Sequence, residues 1–168
     1  YYFQMVFDEN GAVPLEWYKD KYASTFTIPG LLEMASGVEA GCKGMTAMPC
    51  AHLFPDLTGF VNSKETYHHG YYVRAILEST SASLAKLFAY LPGTENAKGL
   101  VSTGGGAKSA LWGKIKANML GKYFCVPECS ETACLGAAML STGGVRENEK
   151  LNEIFNNWGR FKEIINPE

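Results

Sequence analysis

The chain has 168 residues, 46% hydrophobic and 19% charged, which is the composition of an ordinary globular domain with apolar mass for one sizeable core. A formal net charge of -2 argues against a nucleic-acid or anionic-membrane partner, and no apolar run reaches the length of a transmembrane helix. Five cysteines without a C-x-x-C pair, and no basic-then-apolar segment at the start, point to a reducing cytoplasm rather than a disulfide framework.

Tyr1–Phe7 is apolar and aromatic and closes on Asp8-Glu-Asn-Gly11, a turn composition. Val13–Tyr22 reads as a helix, with Leu15, Trp17, Tyr18 and Tyr22 near one stripe and Pro14 tolerated in its first turn. Pro29 opens a second helix that runs to about Glu39, with Gly41 ending it. Met45–Met48 is a short strand before Pro49, and Ala51–Lys64 an irregular loop with an extended piece at Gly59–Val61. The longest helix, Gly70–Leu91, sets Val73, Ile76, Leu77, Leu84, Leu87, Phe88 and Leu91 on one face, and Pro92-Gly93 ends it. His68 and His69 stand just before it, at exposed capping positions.

A short apolar strand, Leu100-Val101, then leads into Gly104-Gly105-Gly106, and a helix starts at about Ser109. Leu111, Trp112, Ile115 and Met119 follow at helical spacing, with Gly121 as the stop. Tyr123–Val126 is a strand closed by Pro127, and the next helix takes Ser130 as its cap and Glu131 in its first turn. Its Ala133, Gly136, Ala137 and Ala138 leave a nearly bare backbone surface. Leu151–Trp158 is a last short helix and Arg160–Glu168 a tail. Helix, strand, glycine turn, helix, strand and helix in that order imply an α/β domain with a partly parallel sheet.

Strand, glycine turn and helix N-terminus together form an anion-binding arrangement, because glycine admits close approach and the helix offers unpaired N–H groups. The predicted ligand is a nucleotide; a glycine-rich turn without a ligand is the plainer reading. A P-loop is excluded, since Ser102 and Ala107 stand where its glycines belong, although Lys108 and Ser109 match its final pair. The dinucleotide fingerprint is met at Gly104 and Gly106 and broken at Ser109, while Glu128 stands about where its ribose-binding acid belongs. Cys42, Cys50, Cys125, Cys129 and Cys134 read as buried thiols rather than metal ligands. His52, His68 and His69 lack an acid at useful spacing and are assigned no chemistry.

Gly-Gly-Gly-Ala-Lys-Ser-Ala-Leu-Trp at 104–112, followed by a strand and by Pro-Glu-Cys-Ser-Glu-Thr-Ala-Cys-Leu-Gly-Ala-Ala at 127–138, resembles the carboxy-terminal domain of the FGGY carbohydrate kinases. These are the actin-like sugar and polyol kinases that include xylulokinase, gluconate kinase and glycerol kinase. Gly44–Pro49, Phe54-Pro-Asp56, Gly59-Phe60, Arg74–Glu78 and the closing Arg160–Glu168 follow the family's order, so the likeness covers nearly the whole chain, loosely over residues 1 to 43.

The resemblance implies an actin-like ATPase domain of ribonuclease H-like type, a mixed sheet flanked by helices. It implies ATP with Mg2+, a sugar or polyol substrate, and an amino-terminal domain of the same polypeptide as partner. By resemblance Gly105, Gly106 and Ala107 bring main chain against the ribose and α-phosphate, Ser109 and Ala110 lie beside the adenosine, and Gly104 shapes the turn. Gly11 occupies roughly the place of a family glycine near the phosphates. Lys108 is read as solvated, Glu78 and Glu131 as caps or interdomain contacts, and Asp56 as a turn residue. The general-base aspartate and the metal ligands are expected before Tyr1, so residues 1–168, which open without methionine, read as the nucleotide-side piece of a longer chain that is inactive alone. The sugar and the oligomeric state stay open, as do two other classes: a dinucleotide-dependent oxidoreductase domain and a non-catalytic actin-like protein.

Overall fold

The first three helices follow from apolar stripes and from caps written into the sequence. In the computed structural model, which describes residues 4–8, 10–145 and 151–168, α1 spans Val13–Tyr22, α2 Ile28–Ser36 and α3 His69–Ala89. Pro14 lies in the first turn of α1, where its missing N–H costs nothing. At the start of α2 the Thr27 hydroxyl accepts from the Gly30 N–H at 3.2 Å, and α2 ends at Gly37, earlier than the periodicity predicts. His68 caps α3, its Nδ1 accepting from the Gly70 N–H at 3.1 Å. His69 is no cap: it is inside the helix, with Nδ1 2.9 Å from the Tyr18 hydroxyl. Gln4–Asp8 carry no regular structure, and Tyr1–Phe3 lie outside the described residues.

Leu15, Tyr18, Leu31, Ala35, Val73, Ile76 and Leu77 form the main core, to which Met45, Phe60, Trp112 and Ile115 contribute. The sequence gives Gly70 no obvious role, yet α3 meets α2 through it. A Cβ at Gly70 would stand 2.5 Å from the Met34 carbonyl oxygen. Helix propensity alone makes Gly70→Ala stabilising by roughly 0.5–1 kcal/mol. The contact reverses that sign, and we expect the variant to be destabilised by about 1–3 kcal/mol in denaturant titration. A stabilised variant would contradict this packing.

Between α2 and α3 the chain forms a two-stranded antiparallel ladder, β1 (Thr46–Ala47) against β2 (Phe60–Val61). The intervening loop holds the 3-10 turn Ala51–Leu53 and an exposed Asp56 at φ 49, 3.6 Å from Lys21, a turn aspartate as expected.

The rest is built on a three-stranded mixed sheet in the order β3-β4-β5. β3 (Gly99–Val101) pairs in parallel with β4 (Tyr123–Pro127), and α4 (Ala110–Leu120) forms the crossover. Arg160–Glu168 is not a tail. Phe161–Ile165 is β5, antiparallel to β4 with a register irregularity at Val126/Pro127. Ile165 joins Ala117, Phe124 and Val126 in a second apolar cluster beneath α4, which Gly113 admits by having no side chain where Ile165 packs. α5 (Thr132–Val145) and α6 (Leu151–Trp158) complete the described elements. The first bond of α5 runs from the Leu135 N–H to the Glu131 carbonyl, so Glu131, not Ser130, holds the capping position.

Candidate functional site

The glycine turn joins the end of β3 to the start of α4. Gly104 has φ 78 and ψ -166, a conformation that is essentially glycine-only, and the chain then winds one 3-10 turn over Gly105–Lys108. Ser109 is the N-cap of α4, its hydroxyl accepting from the Trp112 N–H at 3.2 Å. Gly121 ends that helix at φ 62. The helix is pinned to α3 from below. The Trp112 indole N–H donates to Ser81 Oγ at 3.1 Å, and that hydroxyl donates to the Leu77 carbonyl at 2.7 Å, all of it buried. Turn and helix start are therefore held on rigid elements, as a binding loop requires.

Gly104, Gly105 and Ala110 are exposed, Gly106 and Ala107 are half-buried, and Ser109 is buried. Their glycines differ in purpose. Only Gly104 of the three has positive φ, which matches its expected role in shaping the turn. A Cβ at Gly105 would meet nothing within 4 Å, whereas one at Gly106 would stand 3.2 Å from the Trp112 ring and 3.3 Å from Lys116 Nζ. A side chain at Gly106 would thus crowd Trp112 and Lys116, which would have to give way by a few tenths of an ångström. Gly11 stands elsewhere, in the loop before α1 at φ 41. Its neighbours Asp8 and Asn10 line a crevice with Met48, Ser79, Thr80 and Ser83 that takes none of its wall from the glycine turn.

Beside the turn, at the carboxyl ends of the parallel β3 and β4, lies a small crevice of about 50 Å³ bounded by Thr103, Gly104, Lys108, Glu128, Ser130 and Lys162. Ligands of open α/β sheets gather at such strand ends. Its volume takes a water or two (roughly 30 Å³ each in the liquid) and no nucleotide. Lys108 is exposed, as read from the sequence. Glu128 is exposed too, and its N–H donates to the Arg160 carbonyl at 3.0 Å.

Other polar residues weighed in the sequence are structural. Glu78 accepts from Arg74 Nε at 2.7 Å and from the Gly41 N–H at 3.1 Å, tying α3 to the turn after α2. Among the cysteines only Cys42 is fully buried. Desolvation, reinforced by the Glu78 charge, pushes its thiol up to about 12, which keeps it inert. Cys134 is exposed, against expectation, because its face of α5 is uncovered. Among the described residues no group of three or more His, Cys, Asp or Glu side chains is placed to hold a metal. No helix among them is long and apolar enough to cross a membrane. Sequence reasoning passed over Lys116, whose i,i+4 spacing from Trp112 was the available signal.

Residues 34–142 match the family model described as the FGGY family of carbohydrate kinases, C-terminal domain. An L-fuculokinase of Salmonella typhi is 35% identical over 119 residues, covering 70% of this chain and 25% of that protein. A gluconokinase of Bacillus subtilis is 29% identical over 179 residues, covering 92% of this chain and 34% of the relative. Among solved structures, xylulose kinase from Rhodospirillum rubrum superposes with a TM-score of 0.74 at 22% identity, over 94% of this chain and 33% of that one. Glycerol kinase from Plasmodium falciparum, solved with ADP, superposes with a TM-score of 0.77 at 16% identity, over 94% of this chain and 33% of that one. The present chain thus spans a quarter to a third of these relatives' length. By the family match over its middle and by its fold, the chain belongs to the FGGY family of carbohydrate kinases and corresponds to their C-terminal domain.

Proposed function

We propose that the full-length protein is an ATP-dependent kinase of a sugar or polyol hydroxyl, and that residues 1–168 are its nucleotide-side domain, actin-like with a ribonuclease H-like sheet. The observation that carries this reading is the glycine turn. Gly104 bends the chain as only glycine does, and Gly105 then presents bare main chain to open space at the head of a firmly anchored helix. Main-chain groups of Gly105, Gly106 and Ala107 lie against the ribose and α-phosphate, with the Ala107 N–H itself spent on the Gly104 carbonyl at 3.2 Å, and Ser109 and Ala110 border the adenosine. Gly11, in the loop before α1, is assigned to the phosphates on the family likeness alone. The positive end of the α4 dipole adds to the attraction for phosphate.

ATP, with Mg2+ held mainly by the other domain, supplies the phosphoryl group that the acceptor hydroxyl takes up in line. This domain's part is orientation and charge stabilisation through fixed N–H dipoles, while the proton of the acceptor goes to an aspartate in the rest of the polypeptide. The family match, and Ser109 where the dinucleotide fingerprint needs glycine or alanine, speak against the oxidoreductase alternative.

The test is catalytic. Purified full-length protein is given Mg-ATP and a panel of sugars, sugar acids and polyols that includes fuculose, xylulose, gluconate and glycerol. The reading predicts ADP release that depends on one member of the panel. Sugar-independent release alone would make the protein an ATPase and not a sugar kinase, and no release with any member would point to a non-catalytic actin-like protein.

A further inference from the structure

Lys116 lies on α4 one turn after Trp112, and its side chain runs back toward the helix start. Its ammonium sits 4.3 Å from the centroid of the Trp112 ring, a cation–π contact, and 3.3 Å from where a Gly106 side chain would begin. The ammonium therefore lies against the turn at Gly106, where a side chain would crowd it. Among the described residues no carboxylate pairs with this ammonium. Burial holds its pKa below the ordinary lysine range, the mark of a cation taken partly out of water without a counter-charge. A desolvated cation of this kind gains more from an incoming anion than an exposed lysine such as Lys108 does.

We propose that Lys116, carried on the Trp112 ring, is a phosphate-recognition residue of the glycine turn and makes this domain prefer phosphorylated adenosine over adenosine itself. The proposal rests on the nucleotide reading above. Trp112 and Ser81 fix the platform, Gly106 leaves the gap, and Lys116 supplies the full charge that backbone dipoles alone lack.

Calorimetric titration of the full-length protein with ADP and, separately, with adenosine tests this. Wild type is expected to bind ADP more tightly than adenosine. Lys116→Met keeps the apolar stem on Trp112 and is expected to weaken ADP about tenfold while leaving adenosine within about twofold. Lys116→Gln is expected to do the same, and Lys116→Arg to restore most of the ADP affinity. ADP affinity unchanged within about twofold in both neutral variants overturns the assignment. So does equal weakening of ADP and adenosine, which would mean that the lysine only supports the turn. A wild-type protein that binds neither overturns the nucleotide reading as well, and so separates the two failures.

Discussion

In the full-length protein, Gly105→Val is expected to raise the KM for ATP about 30-fold, close to ~2 kcal/mol, while its melting temperature stays near that of wild type. The physical basis is the position of the missing side chain. A Cβ at Gly105 meets nothing within 4 Å, and the backbone there has no positive φ to forbid valine. The new side chain projects into the space assigned to the ribose and α-phosphate, and at most about 0.5 kcal/mol of folding stability is at stake for such an exposed site. Gly106→Val is the contrasting variant. Its side chain would collide with Trp112 and Lys116, so it is expected to lose nucleotide binding and fold stability together. Equilibrium unfolding alongside ATP titration separates the two. If Gly105→Val leaves ATP affinity within about twofold, the turn does not face the nucleotide.

Residues 1–168 produced alone are expected to fold cooperatively, yet to show no sugar-dependent ATP turnover above about 10⁻⁴ of the full-length rate. Folding is expected because the two apolar clusters share α4: Trp112 and Ile115 enter the helical core, and Ala117 enters the cluster over the sheet. Inactivity is expected because the described residues offer an open surface and a crevice too small for a nucleotide, with no set of acids for a metal. Orienting both reactants in a closed cleft and removing the acceptor proton are each worth orders of magnitude, and both need the facing domain. Calorimetry on the isolated chain, followed by an ADP-release assay with and without sugar, checks both halves. Robust phosphorylation by this chain alone would contradict the division of labour.

How far the sequence discloses this fold depends on whether an element is held by its own residues or by a neighbour. α1 was legible to its last residue, because Pro14 marks its first turn and Leu15 and Tyr18 mark its buried face. The strand, turn and helix around Gly104–Gly106 were legible for the same reason: Ser109 caps the helix and Gly121 stops it, both read from the sequence alone. β5 was not. Phe161–Ile165 buries only Ile165, and it becomes a strand because β4 offers an edge and Gly113 leaves room above. His69 looked like a cap because the partner that draws it inward, Tyr18, is far away in sequence.

The site shows the same division. Three adjacent glycines announce a turn, but only the fold reveals that Gly104 alone has positive φ, that Gly105 faces open space, and that Gly106 lies close against Trp112 and Lys116. Gly70 carried no motif, since its purpose is set by a backbone carbonyl of another helix.

The most direct measurement is a crystal structure of the full-length protein with Mg2+ and a non-hydrolysable ATP analogue. The predicted result is a ribose and α-phosphate lying on the Gly105–Ala107 main chain, with at least one N–H donating to a phosphate oxygen at about 2.9 Å. A nucleotide bound elsewhere, with the Gly105 main chain still facing solvent, would contradict the assignment of this turn.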